Sequence, residues 1–446
     1  MLPIICKIKF STGSEIKDSE KLMTKTTELM RAWLVLFSVF TLFSCNRIDD
    51  EEYRPNFEEG TTESVNLWVQ DSMKRYYYWA EQMPKKTDYS LPTKDFFNSL
   101  LSSQDRFSSI LDTNNASTYP KSVRSLYGFD YSVLQQNGKT FAVIKLVLKN
   151  SPAQNVGLQR GKIITKINGA SINSGNMSNV EQMIINSSSP MKLMIGTWEN
   201  GNIMNENEIT IYQSFTFDQP LVSKIFEQNG KKIGYLYIYS FQNGMASSFA
   251  NKFAEFKSAG VSELILDLRY NYGGMLASSA ALCAMIPSGI SGNSPFIIYK
   301  GNSNGGEVHL SFAQQLAYDS GSPSFSTLFN QNLGLSKVYV LTTESTASAS
   351  ETVINNLKPY MQVIQIGGRT LGKDMSGWDI DDKRNPPKIS WQIHPMIYKL
   401  YNANNEGNYS SGILPTISIN EFQSMPIMEL GNPEEAFLKK ALQEIN

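Results

Sequence analysis

Histidine and cysteine are scarce: the 446-residue chain has two of the first and three of the second. Structural zinc usually takes four Cys or His ligands, so little is left for such a site, and no metal or cofactor is expected. An excess of charge of one sign is also lacking. The 40 Lys and Arg stand against 41 Asp and Glu, a formal net charge of −1. Without a basic field, nucleic acid is not an expected partner. Long hydrophobic runs are missing too. The most apolar stretch, Trp33–Phe43, is eleven residues long, whereas a membrane-spanning helix needs about 20. What is present is an ordinary globular composition, 41% hydrophobic and 18% charged. The length suits two or three domains at roughly 150 residues each.

Arg31 precedes the apolar stretch, and the small Ser44 and then Cys45 follow it. A basic residue, a short apolar region and a small residue form the pattern of a signal peptide; a buried core helix is the competing reading. Leu42-Phe-Ser-Cys45 resembles the lipobox of bacterial lipoproteins. That resemblance implies that Cys45 is acylated and becomes the first residue of the mature chain. Residues 46–52 are acidic and lack apolar periodicity, so a solvated tether is expected. They also resemble the surface-export signal of Bacteroidetes lipoproteins. The expectation is a signal peptide or extension over 1–44 and an acidic tether over 45–62. The mature protein would be held at the outer membrane of the cell envelope by a lipid anchor, periplasmic or surface-exposed. Cys283 is then left unpaired.

Three modules are expected beyond the tether. In the first, residues 63–120, Val65, Trp68, Val69, Met73 and Tyr76 recur at helical spacing, and Phe96, Phe97, Leu100 and Leu101 form a second stripe. The helical pattern is read from Ser64 to Leu111. In the second, residues 121–214, short strands and turns dominate. Ser151-Pro-Ala153, Gly157-Leu158 and Gly161-x-Ile-Ile-x-x-Ile-Asn-Gly169 resemble a PDZ domain, with Lys162 where Asp is usual. Tyr127-Gly128-Phe129-Asp130 then falls at the carboxylate-binding loop, where backbone N–H groups can receive a peptide terminus. Gly128 can equally be a plain turn glycine. In the third, residues 215–446, strands (Lys232–Tyr239, Glu263–Leu268, Lys337–Thr342, Gln362–Ile366) alternate with helices (Ser247–Ser258, Met275–Ile286, Ser350–Leu357). This alternation indicates a layered α/β architecture.

Two segments of the third module carry chemistry. Asp267-Leu-Arg-Tyr-Asn-Tyr-Gly-Gly274 is a strand running into paired glycines, a turn that can aim N–H groups into a cleft. Alone it is also an ordinary strand exit. Ser348-Ala-Ser-Glu351 lies between a strand and a helix, and Ser-x-x-Glu is also a capping box. Downstream is Gly372-Lys373; a lysine can act as general base if burial lowers its pKa. Ser348 and Lys373 are 25 positions apart. Together with the PDZ-like module, these segments resemble the carboxyl-terminal processing (tail-specific) serine peptidases.

The resemblance implies a ClpP/crotonase-like layered α/β catalytic domain behind a small helical domain and a PDZ domain. It further implies Ser348 as nucleophile, Lys373 as base, and the N–H groups of Ala349 and of Gly273 or Gly274 as the oxyanion hole. The substrate would be a protein or peptide, engaged through its carboxyl terminus. Two departures stand out. Members of that family often carry Gln four residues after the lysine, where Gly377 stands here, and Thr416 replaces an Asp in Gly412-Ile-Leu-Pro-Thr416. His394 offers an alternative base, and His309 reads as a surface residue. The rival to an active peptidase is a silent surface lipoprotein that captures peptides through its PDZ groove.

Overall fold

Thr61 opens the first described helix, α1 (Thr62–Tyr76), its hydroxyl accepting the Ser64 N–H at 3.2 Å as an N-cap residue does. The computed structural model describes residues 54–214 and 221–445. The expected signal peptide, Cys45 and the start of the tether lie outside them. Val69 and Met73 of α1 pack on Phe96, Phe97 and Leu100 of α2 (Thr93–Leu100). The helical reading to Leu111 does not hold beyond Leu100. Asp105 Oδ1 accepts the N–H groups of Phe107 and Ser108, each at 2.9 Å, and this side-chain turn stops helical propagation. The chain instead enters β1 (Ser109–Asp112), antiparallel to Trp391–His394 far downstream. Met375, Ile393 and Met396 complete the small core, so the first module is seated on the third.

The second module comprises α3 (Val123–Tyr127), β2 (Phe129–Gln136), β3 (Lys139–Val147), α4 (Pro152–Asn155), β4 (Ile163–Ile167), β5 (Ala170–Ser171), α5 (Val180–Ile185), β6 (Met191–Glu199) and β7 (Asn202–Ile211). Its antiparallel sheet runs β2-β3-β4-β6-β7. Asn137-Gly138, Asn168-Gly169 and Asn200-Gly201 make its hairpin turns with φ between 49° and 81°. Two consecutive positive φ values are what a two-residue hairpin loop needs, and Asn-Gly supplies them with least strain. One face of this sheet, including Phe141, Val143, Ile163 and Trp198, is covered by Ile427 with Phe422 and Met425 from the carboxyl-terminal segment.

The third module contains β8 (Leu221–Gln228), β9 (Lys231–Ile238), α6 (Met245–Ala259), β10 (Glu263–Asp267), α7 (Leu276–Cys283), β11 (Pro295–Lys300), β12 (Glu307–Ser311), β13 (Lys337–Thr342), α8 (Ala349–Leu357), β14 (Gln362–Gly367), β15 (Met375–Gly377), β16 (Trp391–His394), β17 (Met396–Tyr401), β18 (Ile417–Ser418) and α9 (Ala436–Glu444). The main sheet runs β18-β14-β13-β10-β9-β8, parallel except for β8. All five residues of β10 are buried, as expected for a parallel strand covered on both faces. Phe249 of α6, Ala280 of α7 and Val353 of α8 lie in the core on one face. Phe437, Leu438 and Ala441 of α9 lie in the core on the other. A second sheet, β12-β11-β17-β15, stands beside this layered α/β body. Among the described residues no helix is long and apolar enough to cross a membrane. The neighbouring strands β10 and β13 end together, and the two segments singled out for chemistry leave from those ends, where open parallel sheets bind their ligands.

Candidate active site

The serine segment is tied to the segment after β10 by three hydrogen bonds. Thr346 donates its hydroxyl to the Leu268 carbonyl at 2.9 Å. The Ala347 N–H and the Ser350 hydroxyl both donate to the Asn271 carbonyl, at 3.0 and 3.2 Å. Ser348 itself has φ 55° and ψ −117°. An N-cap residue normally has extended backbone, so this is not the geometry of an ordinary cap. A non-glycine residue in that region is strained, and the strain persists only where its surroundings hold it.

The glycine turn explains why. A Cβ at Gly273 would stand 2.6 Å from Ser348 Cβ and 2.9 Å from the Ala349 nitrogen. A Cβ at Gly274 would stand 1.9 Å from the Phe241 carbonyl oxygen. Only glycines let this turn lie against the serine. Ala349 is the first residue of α8, so its N–H has no intrahelical partner. The Gly273 N–H is donated to Asn271 Oδ1 at 2.8 Å, and Asn271 is anchored in turn by donating to the Ile238 carbonyl at 3.0 Å.

Glu351, fully buried on α8, joins serine to lysine. Its Oε2 accepts the N–H groups of Ser348 and Lys373, both at 2.8 Å. Its Oε1 accepts the Gly372 N–H at 2.7 Å and the Thr370 hydroxyl at 2.5 Å. Burial raises the carboxyl pKa, and these donors oppose the rise. One side chain thus fixes the backbones on either side of the site. Burial also lowers the Lys373 ammonium pKa, opposed by Glu351 and then by Asp105. The Lys373 Nζ lies 5.5 Å from the centroid of the Phe107 ring. Among the described residues no hydrogen bond joins Ser348 Oγ to Lys373 Nζ.

Three family models match the chain: the peptidase S41 N-terminal domain over residues 64–109, the PDZ domain over 117–196, and peptidase family S41 over 232–419. The chain belongs to peptidase family S41. It is 22% identical to the carboxy-terminal processing protease CtpA of Bacillus subtilis over 365 residues, 80% of this chain and 70% of that protein. It is 25% identical to CtpB of the same organism over 78% of this chain and 67% of that protein. A crystal structure assigned to an S41 protease of Bacteroides fragilis is 28% identical, with a TM-score of 0.69, covering 88% of this chain and 98% of that one. The photosystem II D1 C-terminal processing protease shares the fold at 17% identity, with a TM-score of 0.50. The activity class of the chain is that of a serine peptidase.

The other residues singled out from the S41 peptidase sequence fall in several places. Tyr127 and Phe129 are buried in the PDZ core, and Gly128 caps α3 with φ 78°, donating its N–H to the Arg124 carbonyl at 3.0 Å. Receiving a peptide terminus on these N–H groups requires that cap to open. Asp130 accepts from Arg124 Nε at 2.8 Å. The Arg124 guanidinium lies over the rings of Tyr239 and Tyr272, at 4.8 and 4.4 Å. Tyr272 belongs to the glycine turn, so the PDZ module rests on the candidate site. His394 is paired with Asp379 at 2.7 Å on β16, and the exposed His309 with Glu307 at 2.6 Å. Gly377 is closed by the Pro395 carbonyl, which would lie 2.0 Å from a Cβ there. Two participants escaped the sequence reading: Glu351, whose capping-box spacing hid its reach to the lysine loop, and the segment Asp105-Arg106-Phe107, which carries no motif.

Proposed function

We propose that this S41 peptidase is a serine endopeptidase of the carboxyl-terminal processing type, acting through Ser348 and Lys373 on exported proteins or unfolded tails. Lys373, its ammonium disfavoured by burial, takes the Ser348 proton as Oγ attacks the scissile carbonyl. The Ala349 N–H, with that of Gly273 or Gly274, stabilises the oxyanion. The amine leaves with the proton held by Lys373, and a water deprotonated by the same lysine hydrolyses the ester. The observation that carries this reading is the Glu351 carboxylate, which bonds the backbones of nucleophile and base at the same 2.8 Å. The names of the Bacillus relatives support the tail-processing class. The lipobox-like Leu42–Cys45 supports attachment of the mature chain to the outer membrane through a lipid on Cys45.

Turnover of casein and of a fluorogenic peptide by the wild type, Ser348→Ala and Lys373→Ala tests the assignment. Each substitution is expected to lower kcat by at least about 10³-fold without loss of fold. Equal rates for wild type and Ser348→Ala would sink it. The reading of a silent peptide-binding lipoprotein is favoured by one observation, the engagement of the Gly273 N–H by Asn271 at 2.8 Å. Peptide binding without any turnover in the wild type would select it.

A further inference from the structure

The Lys373 ammonium has no hydrogen-bond partner among the described residues, and Gly377 offers it no side chain. What surrounds it comes largely from the other end of the sequence. Arg106 donates from Nη2 to the carbonyls of Gly372 at 2.8 Å and Ser410 at 2.9 Å, clamping the lysine loop to the first module. The Phe107 ring lies beside Nζ at 5.5 Å. Ser108 accepts the Met396 N–H at 2.8 Å, fixing the same segment to the strand that pairs with β15. Asp105 heads this segment. Its Oδ1 is used in the turn, holding the N–H groups of Phe107 and Ser108. Its Oδ2 is shielded from solvent and accepts no hydrogen bond. A carboxylate oxygen buried without a partner is costly, and such a group calls for a functional reason.

We propose that Asp105 is a positioning residue for Lys373: among the described residues no ion pair joins the two at rest, and the unpaired Oδ2, carried on the Arg106 clamp beside the Phe107 ring that Nζ faces, receives and orients the lysine ammonium when Lys373 takes up the Ser348 proton. The proposal rests on the reading of Lys373 as the base. The first module is then part of the active site and not only packing. When Lys373 carries the proton taken from Ser348, Asp105 supplies the countercharge that burial otherwise denies it. When that proton passes to the leaving amine, the neutral lysine is released to activate water. The groups facing Lys373 are few. Glu351 from α8 and Asp105 are the anions whose charges act on it. Asp374, next in the chain, is 3.5 Å from Lys399, and Arg106 is occupied by carbonyls. Tyr77 also faces Asp105; burial first, and then Asp105, holds its phenol well above the ordinary range, so it stays neutral.

Asp105→Asn separates this role from a structural one, because the amide oxygen still accepts the two turn N–H groups while the charge is gone. The Cε resonance of Lys373, titrated by NMR in the full chain carrying Ser348→Ala, reads the ammonium directly and needs no turnover. Removing the anion is expected to lower the Lys373 midpoint by about one pH unit. In the otherwise wild-type chain, the acid limb of the pH profile of kcat/KM is expected to move down with it, while plateau kcat falls and KM holds. Asp105→Glu is expected to restore the limb. If Asp105→Asn does not fold, Asp105→Ser, which also caps a turn, carries the same test. An unmoved midpoint in the folded variant overturns the proposal, whatever happens to activity. Full turnover by Ser348→Ala would instead overturn the dyad, and the lysine titration would still decide what Asp105 does to Lys373.

Discussion

Ser348 holds a backbone conformation, φ 55° and ψ −117°, that no local preference of serine favours. The neighbours that impose it are the Asn271 carbonyl, the Glu351 carboxylate and the two glycines. Gly273 is the most exacting of these. An alanine there would place a methyl 2.6 Å from Ser348 Cβ and 2.9 Å from the Ala349 nitrogen, in a residue whose φ of 100° already disfavours a side chain. Gly273→Ala is therefore expected to lower kcat by about 10²-fold or more, with a far smaller change in KM, as for loss of an oxyanion donor. Steady-state kinetics on the fluorogenic peptide check this. Ser348, Lys373 and the paired glycines were legible because each belongs to a short motif. Glu351 was legible only as a helix cap. Its grip on Gly372 and Lys373 depends on two loops meeting in space, and linear spacing carries no trace of that.

Elements meet at a buried ion network that links the PDZ module to the glycine turn. Arg160, between α4 and β4, donates to Glu421 at 2.7 Å and to the Tyr270 hydroxyl at 2.8 Å. Arg269 is paired with Asp267 at 2.6 Å and with Glu435 at 2.7 Å. Burial pushes the Glu421 carboxyl up, but Arg160 and Arg269 more than offset this, and its pKa ends below 4.5. Arg160→Met leaves Glu421 with a weaker set of partners and is expected to cost about 3 kcal/mol at pH 7. A carboxyl with a lowered folded-state pKa stabilises the fold above its unfolded value and loses that contribution on acidification. The gap between wild type and Arg160→Met should thus be full above pH 4.5 and narrow below it. Urea denaturation at pH 7 and pH 4 measures both. The sequence showed the alternating strands and helices of the catalytic part through hydrophobic runs. It did not show β1, because the pairing with β16 is non-local and the apolar residues Ile110 and Leu111 fit a helix as well as a strand.

At the scale of the whole molecule, the three modules converge on one pair of loops. The first module reaches the lysine loop through Arg106 and Phe107. The PDZ module rests on Tyr272 through Arg124 and is covered by Ile427 of the carboxyl-terminal segment. The layered core places Ser348 between them. Module order was legible from motifs; their mutual seating was not, since Arg106, Arg124 and Ile427 belong to no pattern. Everything in this arrangement turns on whether Ser348 forms the covalent bond. The direct measurement is mass spectrometry of the acid-quenched enzyme during turnover of an ester or peptide substrate, with the adduct mapped to a residue. The expected result is an acyl group on Ser348, absent from Ser348→Ala and accumulating as pH is lowered toward the Lys373 transition if deacylation limits. Turnover with no adduct at Ser348, or with an adduct on another residue, would contradict it.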